Sequence, residues 1–95
     1  MYTAHAVRSF INTKKKLPKT LRAELDRQVD LVCKDPSIGT HKAGDLRRVW
    51  VHKFNLLGRR YLLAYSIDEQ AMIVTFLAIG GHENFYRDLK NYLKA

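Results

Sequence analysis

The spacing of the apolar residues changes once along this chain, around Lys34–Gly39, and that change dictates a mixed fold. Before it, Leu21, Leu25, Val29 and Val32 recur at intervals of four, four and three, which is one face of an α-helix. Arg22, Glu24, Asp26, Arg27 and Asp30 fall mostly off that stripe, so the helix has a wet side. After it, runs rich in β-branched and aromatic residues alternate or stay apolar on both faces, the pattern of strands. The boundary is sharp because Asp35 precedes a proline, which disfavours helix, and Gly39 supplies a turn.

Smaller segments fit around this division. Tyr2–His5 reads as a short first strand. Val7–Leu17 reads as a short helix with Val7, Phe10 and Ile11 on one face. Lys14, Lys15 and Lys16 lie near its end, where cations suit the helix dipole. Pro18 fits the first turn of the long helix. In the second half, Arg47–Phe54 is a strand and Asn55–Gly58 a hairpin turn. Arg59–Ile67 alternates Tyr61, Leu63, Tyr65 and Ile67 against Arg60, Leu62, Ala64 and Ser66. Asp68–Gln70 makes another tight connection. Ala71–Ile79 is apolar on both faces, as a central strand would be. Gly80 and Gly81 then break the strand, and a short C-terminal helix presents Phe85, Leu89 and Leu93 at spacings of four. The expectation is an α+β fold in one domain over residues 1–95, in the order β-α-α-β-β-β plus the terminal helix. Two helices pack on one face of a small, mostly antiparallel sheet. The other face is left open, floored by backbone and rimmed with Arg and Lys.

Charge and missing features narrow the function. Seventeen Lys and Arg face nine Asp and Glu, giving a formal charge of +8. A polyanion is the obvious partner for such a surface, through counterion release at phosphates. Ninety-five residues with 46% apolar content can bury one modest core without staples. The single cysteine, Cys33, can close no internal disulfide. The N-terminus lacks the apolar core of a secretion signal, and Ala71–Ile79 is far too short to cross a bilayer. A cytoplasmic protein with no membrane association is expected. His5, His41, His52 and Cys33 do not fall at zinc spacings, so no metal or other cofactor is expected. Gly80-Gly81 lacks the surroundings of a nucleotide loop.

Taken in order, "DPSIG…GDLRRVWVHKF", "YLLAYSIDE" and "AIGGHENFY" resemble the RelE/ParE toxin superfamily over nearly the whole chain. That resemblance implies a microbial toxin of a type II toxin–antitoxin system, neutralised by a cognate antitoxin, with which it can form a heterotetramer. RelE-like members cleave mRNA, usually on the ribosome, whereas ParE-like members poison DNA gyrase. Metal-free RNA cleavage needs the 2′-hydroxyl deprotonated, the phosphorane charge stabilised and the 5′-oxygen protonated. An imidazole can take either proton-transfer role near neutral pH. The resemblance places His82 at the position of the catalytic His or Arg of the RNase members. It places Tyr86 at their aromatic residue, which stacks on a base or assists proton transfer. Glu83 is a candidate to orient His82.

The plainer account of the same stretch makes His82 or Asn84 a helix cap and Phe85 a core anchor. Arg60, on the open face with Leu62, Ala64 and Ser66, is the first candidate to stabilise phosphorane charge, and Lys53 on the neighbouring strand the second. RelE-like members carry an arginine where this chain has Leu62; the histidine-based RNase members lack that arginine too. Arg47, Arg48, Arg59, Lys42, Lys14 and Lys15 are candidate RNA contacts, although a lysine cluster at a helix end is ordinarily a solvated one. His52 and Trp50 read as packed strand residues. The favoured function is an endoribonuclease acting on mRNA. The alternatives are gyrase poisoning, or a non-catalytic module that binds RNA or antitoxin. Only the first requires His82.

Overall fold

A computed structural model describes residues 1–42, 48–81 and 85–94, apart from the side chains of residue 88 and residues 91–94. Among the described residues nine elements follow one another: β1 (Thr3–Ala6), α1 (Arg8–Lys15), α2 (Lys19–Lys34), a 3-10 turn (Pro36–Ile38), β2 (Thr40–His41), β3 (Trp50–Leu56), β4 (Arg59–Asp68), β5 (Ile73–Gly81) and α3 (Phe85–Lys94). The strands form one sheet in the order β1-β5-β4-β3-β2. Among the described strands only β1 runs parallel to its neighbour, pairing Thr3–Ala6 with Ile73–Phe76. All other pairings are antiparallel.

The helical stripe lies where its period puts it. Leu21, Leu25 and Val32 are buried against Phe54, Leu63, Tyr65, Val74 and Phe76, with Phe10 of α1 beside them. Leu25 and Val32 are fully buried, and each such side chain is worth roughly 1.5–3 kcal/mol over an exposed one. A β-bulge in the β4–β5 pairing explains why β5 reads as apolar on both sides. Tyr65 pairs with Phe76 but Ala64 pairs with Ala78, so Leu77 is an extra residue. The side-chain alternation shifts there, and Phe76 and Ile79, three apart, both face α1 and α2.

The sheet's second face is not open along its whole length, contrary to the sequence expectation. Phe85 and Leu89 of α3 cover Val49, Val51, Leu62 and Ala64 in a second core. Leu62 and Ala64 are fully buried there. Strand β5 also continues through the two glycines, with Gly80 opposite Leu62 and Gly81 opposite Tyr61. Ladder pairing to β4 offsets the weak strand preference of glycine. The β3–β4 hairpin closes through Leu57 and Gly58, both at positive φ (51° and 78°), the geometry of a two-residue turn that matches strand twist.

Tyr65 fixes the approach to β2. Its hydroxyl donates to the Pro36 carbonyl at 2.5 Å and accepts from the Gly39 N–H at 3.1 Å. Burial pushes its phenol up to about 12. A Cβ on Gly39 would run into that hydroxyl, so the position requires glycine.

Candidate functional site

The second face divides at Leu62. On one side of it, α3 covers the sheet; on the other, toward the hairpin, the face carries Lys53, Asn55 and Arg60, all exposed. The register puts them on one surface: Lys53 lies opposite Leu62, and Asn55 opposite Arg60. Asn55 Oδ1 accepts a long hydrogen bond, 3.5 Å, from Arg60 Nε. Strand β5 leaves the sheet at the same end, since Gly81 pairs with Tyr61, the residue after Arg60. The end of β5 at Gly81 therefore lies close to Arg60. His82, Glu83, Asn84 and Arg47 themselves lie outside the described residues, as does the side chain of Leu93.

Two helix ends bring further cations to this end. Ser9, Phe10 and Thr13 of α1 line a cleft with Leu77–Gly81, so Lys14, Lys15 and Lys16 follow close to the end of β5. Lys19 and Thr20, at the start of α2, line another cleft with Leu56 of the hairpin. Lys14 makes an ion pair with Asp26, tying α1 to α2; an exposed pair of this kind is worth about 0–1 kcal/mol. Lys15 stays exposed. Arg59, opposite Leu56, projects on the helix-covered side of the hairpin, away from Arg60.

Tyr86 sits on the α3 side of the same face. It meets Phe85 edge-on, with ring centroids 5.3 Å apart, and the Lys42 ammonium lies 5.1 Å from its ring centre. This cation–π contact joins α3 to the segment after β2. Lys42 and Tyr86, named separately from the sequence, are thus neighbours. Arg48 is different: it lies just before β3, at the end of the sheet far from Arg60.

His52 is fixed by packing, as its strand position implied. Its Nε2–H donates to Gln28 Oε1 at 2.7 Å, while Gln28 Nε2 donates to Glu24 Oε2 at 2.7 Å. Burial holds the His52 imidazole below its ordinary pKa, so it is neutral at neutral pH. Gln28, buried within the helix face, carried no signal in the apolar stripe; its partner is supplied by the opposing strand. Asn55 was also missed, because an asparagine before a hairpin reads as a turn residue. The register alone places it opposite Arg60. Among the described residues, no three His, Cys, Asp or Glu side chains converge as metal ligands, and no helix is long and apolar enough to cross a membrane.

Solved structures share this architecture. A chain of the intact Escherichia coli RelBE toxin–antitoxin complex is similar with a TM-score of 0.72 and 22% identity, over 87% of this chain and 99% of that one. The isolated E. coli RelE toxin gives 0.69 and 20%, over 97% and 99%. A chain of the RelBE2 complex of Mycobacterium tuberculosis gives 0.76 and 19%, over 85% and 98%. At these identities the likeness establishes the fold. No curated protein sequence is significantly similar. Residues 4–90 match the family model for the ParE-like toxin of type II bacterial toxin–antitoxin systems. With the family's model spanning nearly the whole chain and its fold shared with RelE toxins, this chain belongs to the ParE-like toxins of type II toxin–antitoxin systems.

Proposed function

We propose that this toxin is an endoribonuclease that cuts mRNA on the ribosome without a metal. The observation that carries the reading is the meeting of Lys53 and Arg60 with the end of β5 at Gly81, flanked by cationic helix termini. RNA lies across this end. Fixed guanidinium and ammonium groups at Arg60 and Lys53 stabilise the charge that builds on the phosphorane. His82, one residue beyond Gly81, exchanges protons with the 2′-hydroxyl or the 5′-leaving oxygen. Tyr86 supports a base, and Lys42 holds its ring while offering charge to a phosphate. Lys14, Lys15, Arg47 and Arg59 extend the electrostatic contact with mRNA or ribosomal RNA.

The arginine of RelE-like members has no counterpart at Leu62, which is a core residue beneath α3. Arg60 supplies the charge from the uncovered part of the face instead.

The partner that restrains the toxin is an acidic antitoxin, in the cytoplasm with it, and the two assemble as a heterotetramer. Strand β1 covers β5 only as far as Phe76. Beyond it, the β1 side of Leu77–Gly81 borders a cleft of about 410 Å³ between α1 and α3. An extended antitoxin stretch adds there as a further strand, the usual way a sheet edge is recognised.

The test is a purified translation system with a defined mRNA. Cut ends carrying a 2′,3′-cyclic phosphate, the product of attack by the neighbouring 2′-hydroxyl, support the reading. Intact mRNA at stoichiometric toxin overturns it. The ParE-like family match favours one other reading, poisoning of DNA gyrase, which needs no His82. Loss of supercoiling activity with mRNA intact selects it.

A further inference from the structure

The clefts around Trp50, at the end of the sheet farthest from Arg60, differ in charge from the rest of the surface. Two clefts meet there around Trp50, of about 600 and 230 Å³. Both are lined by Trp50, Ile67 and Glu69. Asp68 belongs to the larger and Asp35 to the smaller, with Arg48 and Lys34 as the cations. Among the described lining residues, three carboxylates against two cations is an inversion in a chain with seventeen Lys and Arg and nine Asp and Glu.

The carboxylates are not already neutralised. Asp68 accepts the Ala71 N–H, and Asp35 accepts from Ser37, but neither they nor Glu69 pair with a cation among the described residues. Trp50 stacks flat on His41, with centroids 4.8 Å apart and planes 6° from parallel, and both rings line the larger cleft. Exposed Ile38 and Met72 lie in the segments that build this end.

Flat aromatic rings beside uncommitted carboxylates match a guanidinium, which stacks on ring faces and accepts carboxylate partners in its plane. From Arg60 to Asp68 the strand runs eight residues, roughly 26 Å, about three screening lengths at physiological salt. The cationic end therefore does not repel a basic group here. We propose that the Trp50 clefts dock an extended, arginine-bearing peptide segment of a second protein, distinct from an acidic antitoxin. The proposal does not depend on the ribonuclease reading.

Trp50 is the only tryptophan, so its fluorescence reports this site directly. The full chain is titrated with a blocked Gly-Arg-Gly-Arg-Gly peptide, its Glu-for-Arg counterpart, and a short single-stranded RNA. The arginine peptide should change Trp50 emission saturably. The pair Asp68→Asn and Glu69→Gln keeps the oxygen that accepts Ala71 and should weaken that binding roughly tenfold, while leaving the melting temperature unchanged. No saturable change up to millimolar arginine peptide overturns the proposal. So does equal binding by the double variant, or a saturable response to the acidic peptide or the RNA alone.

Discussion

Replacing Tyr65 by Phe removes one oxygen and leaves two backbone groups without their partner. The Pro36 carbonyl loses its donor and the Gly39 N–H its acceptor. The ring is fully buried and Pro36 is buried as well, so water does not reach the carbonyl freely. An unsatisfied buried polar group costs about 1–3 kcal/mol. The half-buried Gly39 N–H recovers part of its loss from solvent, which puts the sum at about 2–4 kcal/mol. In a domain this size that is a fall in melting temperature on the order of 10–20 °C. Urea titration should show a lower midpoint at an unchanged slope. The same phenol gives a pH signature. Folding raises its pKa from 10 to about 12, so above pH 10 the unfolded chain loses the proton while the folded one keeps it. Parent stability therefore falls as pH climbs from 10 through about 12, and the Phe variant should lack that component. A loss under about 0.5 kcal/mol, or an identical alkaline profile in the two proteins, would refute the reasoning.

Three further outcomes follow from the same geometry. Lys53→Ala and Arg60→Ala should each flatten the salt dependence of RNA binding by about 0.7–0.9 of a log unit per log unit of salt, measured by anisotropy from 50 to 200 mM; parent slopes in both would make these cations bystanders. Leu89→Ala should cost about 2–4 kcal/mol, because Leu89 is buried with Leu62 and Phe85; hydrogen exchange should show α3 opening first. Gly39→Ala should destabilise the fold through the Tyr65 hydroxyl, and Tyr65→Phe should relieve part of that cost in a double-mutant cycle.

What the sequence disclosed and withheld follows from where each interaction is made. The α2 stripe is local, and Leu21, Leu25 and Val32 went where their period sent them. The alternation of Arg59–Ile67 likewise sorted Tyr61, Leu63 and Tyr65 from Leu62 and Ala64. Strand β2 is only two residues long and exists by pairing Thr40 and His41 with Val51 and Trp50, so it has no pattern of its own. The parallel match of β1 to β5 is equally tertiary. Gly80 and Gly81 looked like a break because glycine weakens isolated strands, yet β4 holds them in register. The four-residue spacing of Phe85 and Leu89 announced a helix without saying which side of the sheet it would cover. That choice buries Leu62 and limits the candidate site to the hairpin end. Arg60 was readable as a face-mate of Leu62 and Ala64 from alternation, whereas the shared face of Lys53 comes from the β3–β4 register. Their approach to the exit of β5 required the strand order.

The central claim, proton transfer by His82 with charge stabilisation by Arg60 and Lys53, is tested most directly by single-turnover cleavage of ribosome-bound mRNA. Parent, His82→Ala and Tyr86→Phe proteins should be compared across pH at matched folded concentration. The account predicts that His82→Ala cleaves about a hundred- to ten-thousandfold more slowly and loses the limb of the pH–rate profile near neutrality. Its melting temperature and antitoxin affinity should match the parent, whereas Tyr86→Phe keeps the ring and reports only on the hydroxyl. A folded His82→Ala protein that cleaves at the parent rate, with the parent pH profile, contradicts the account.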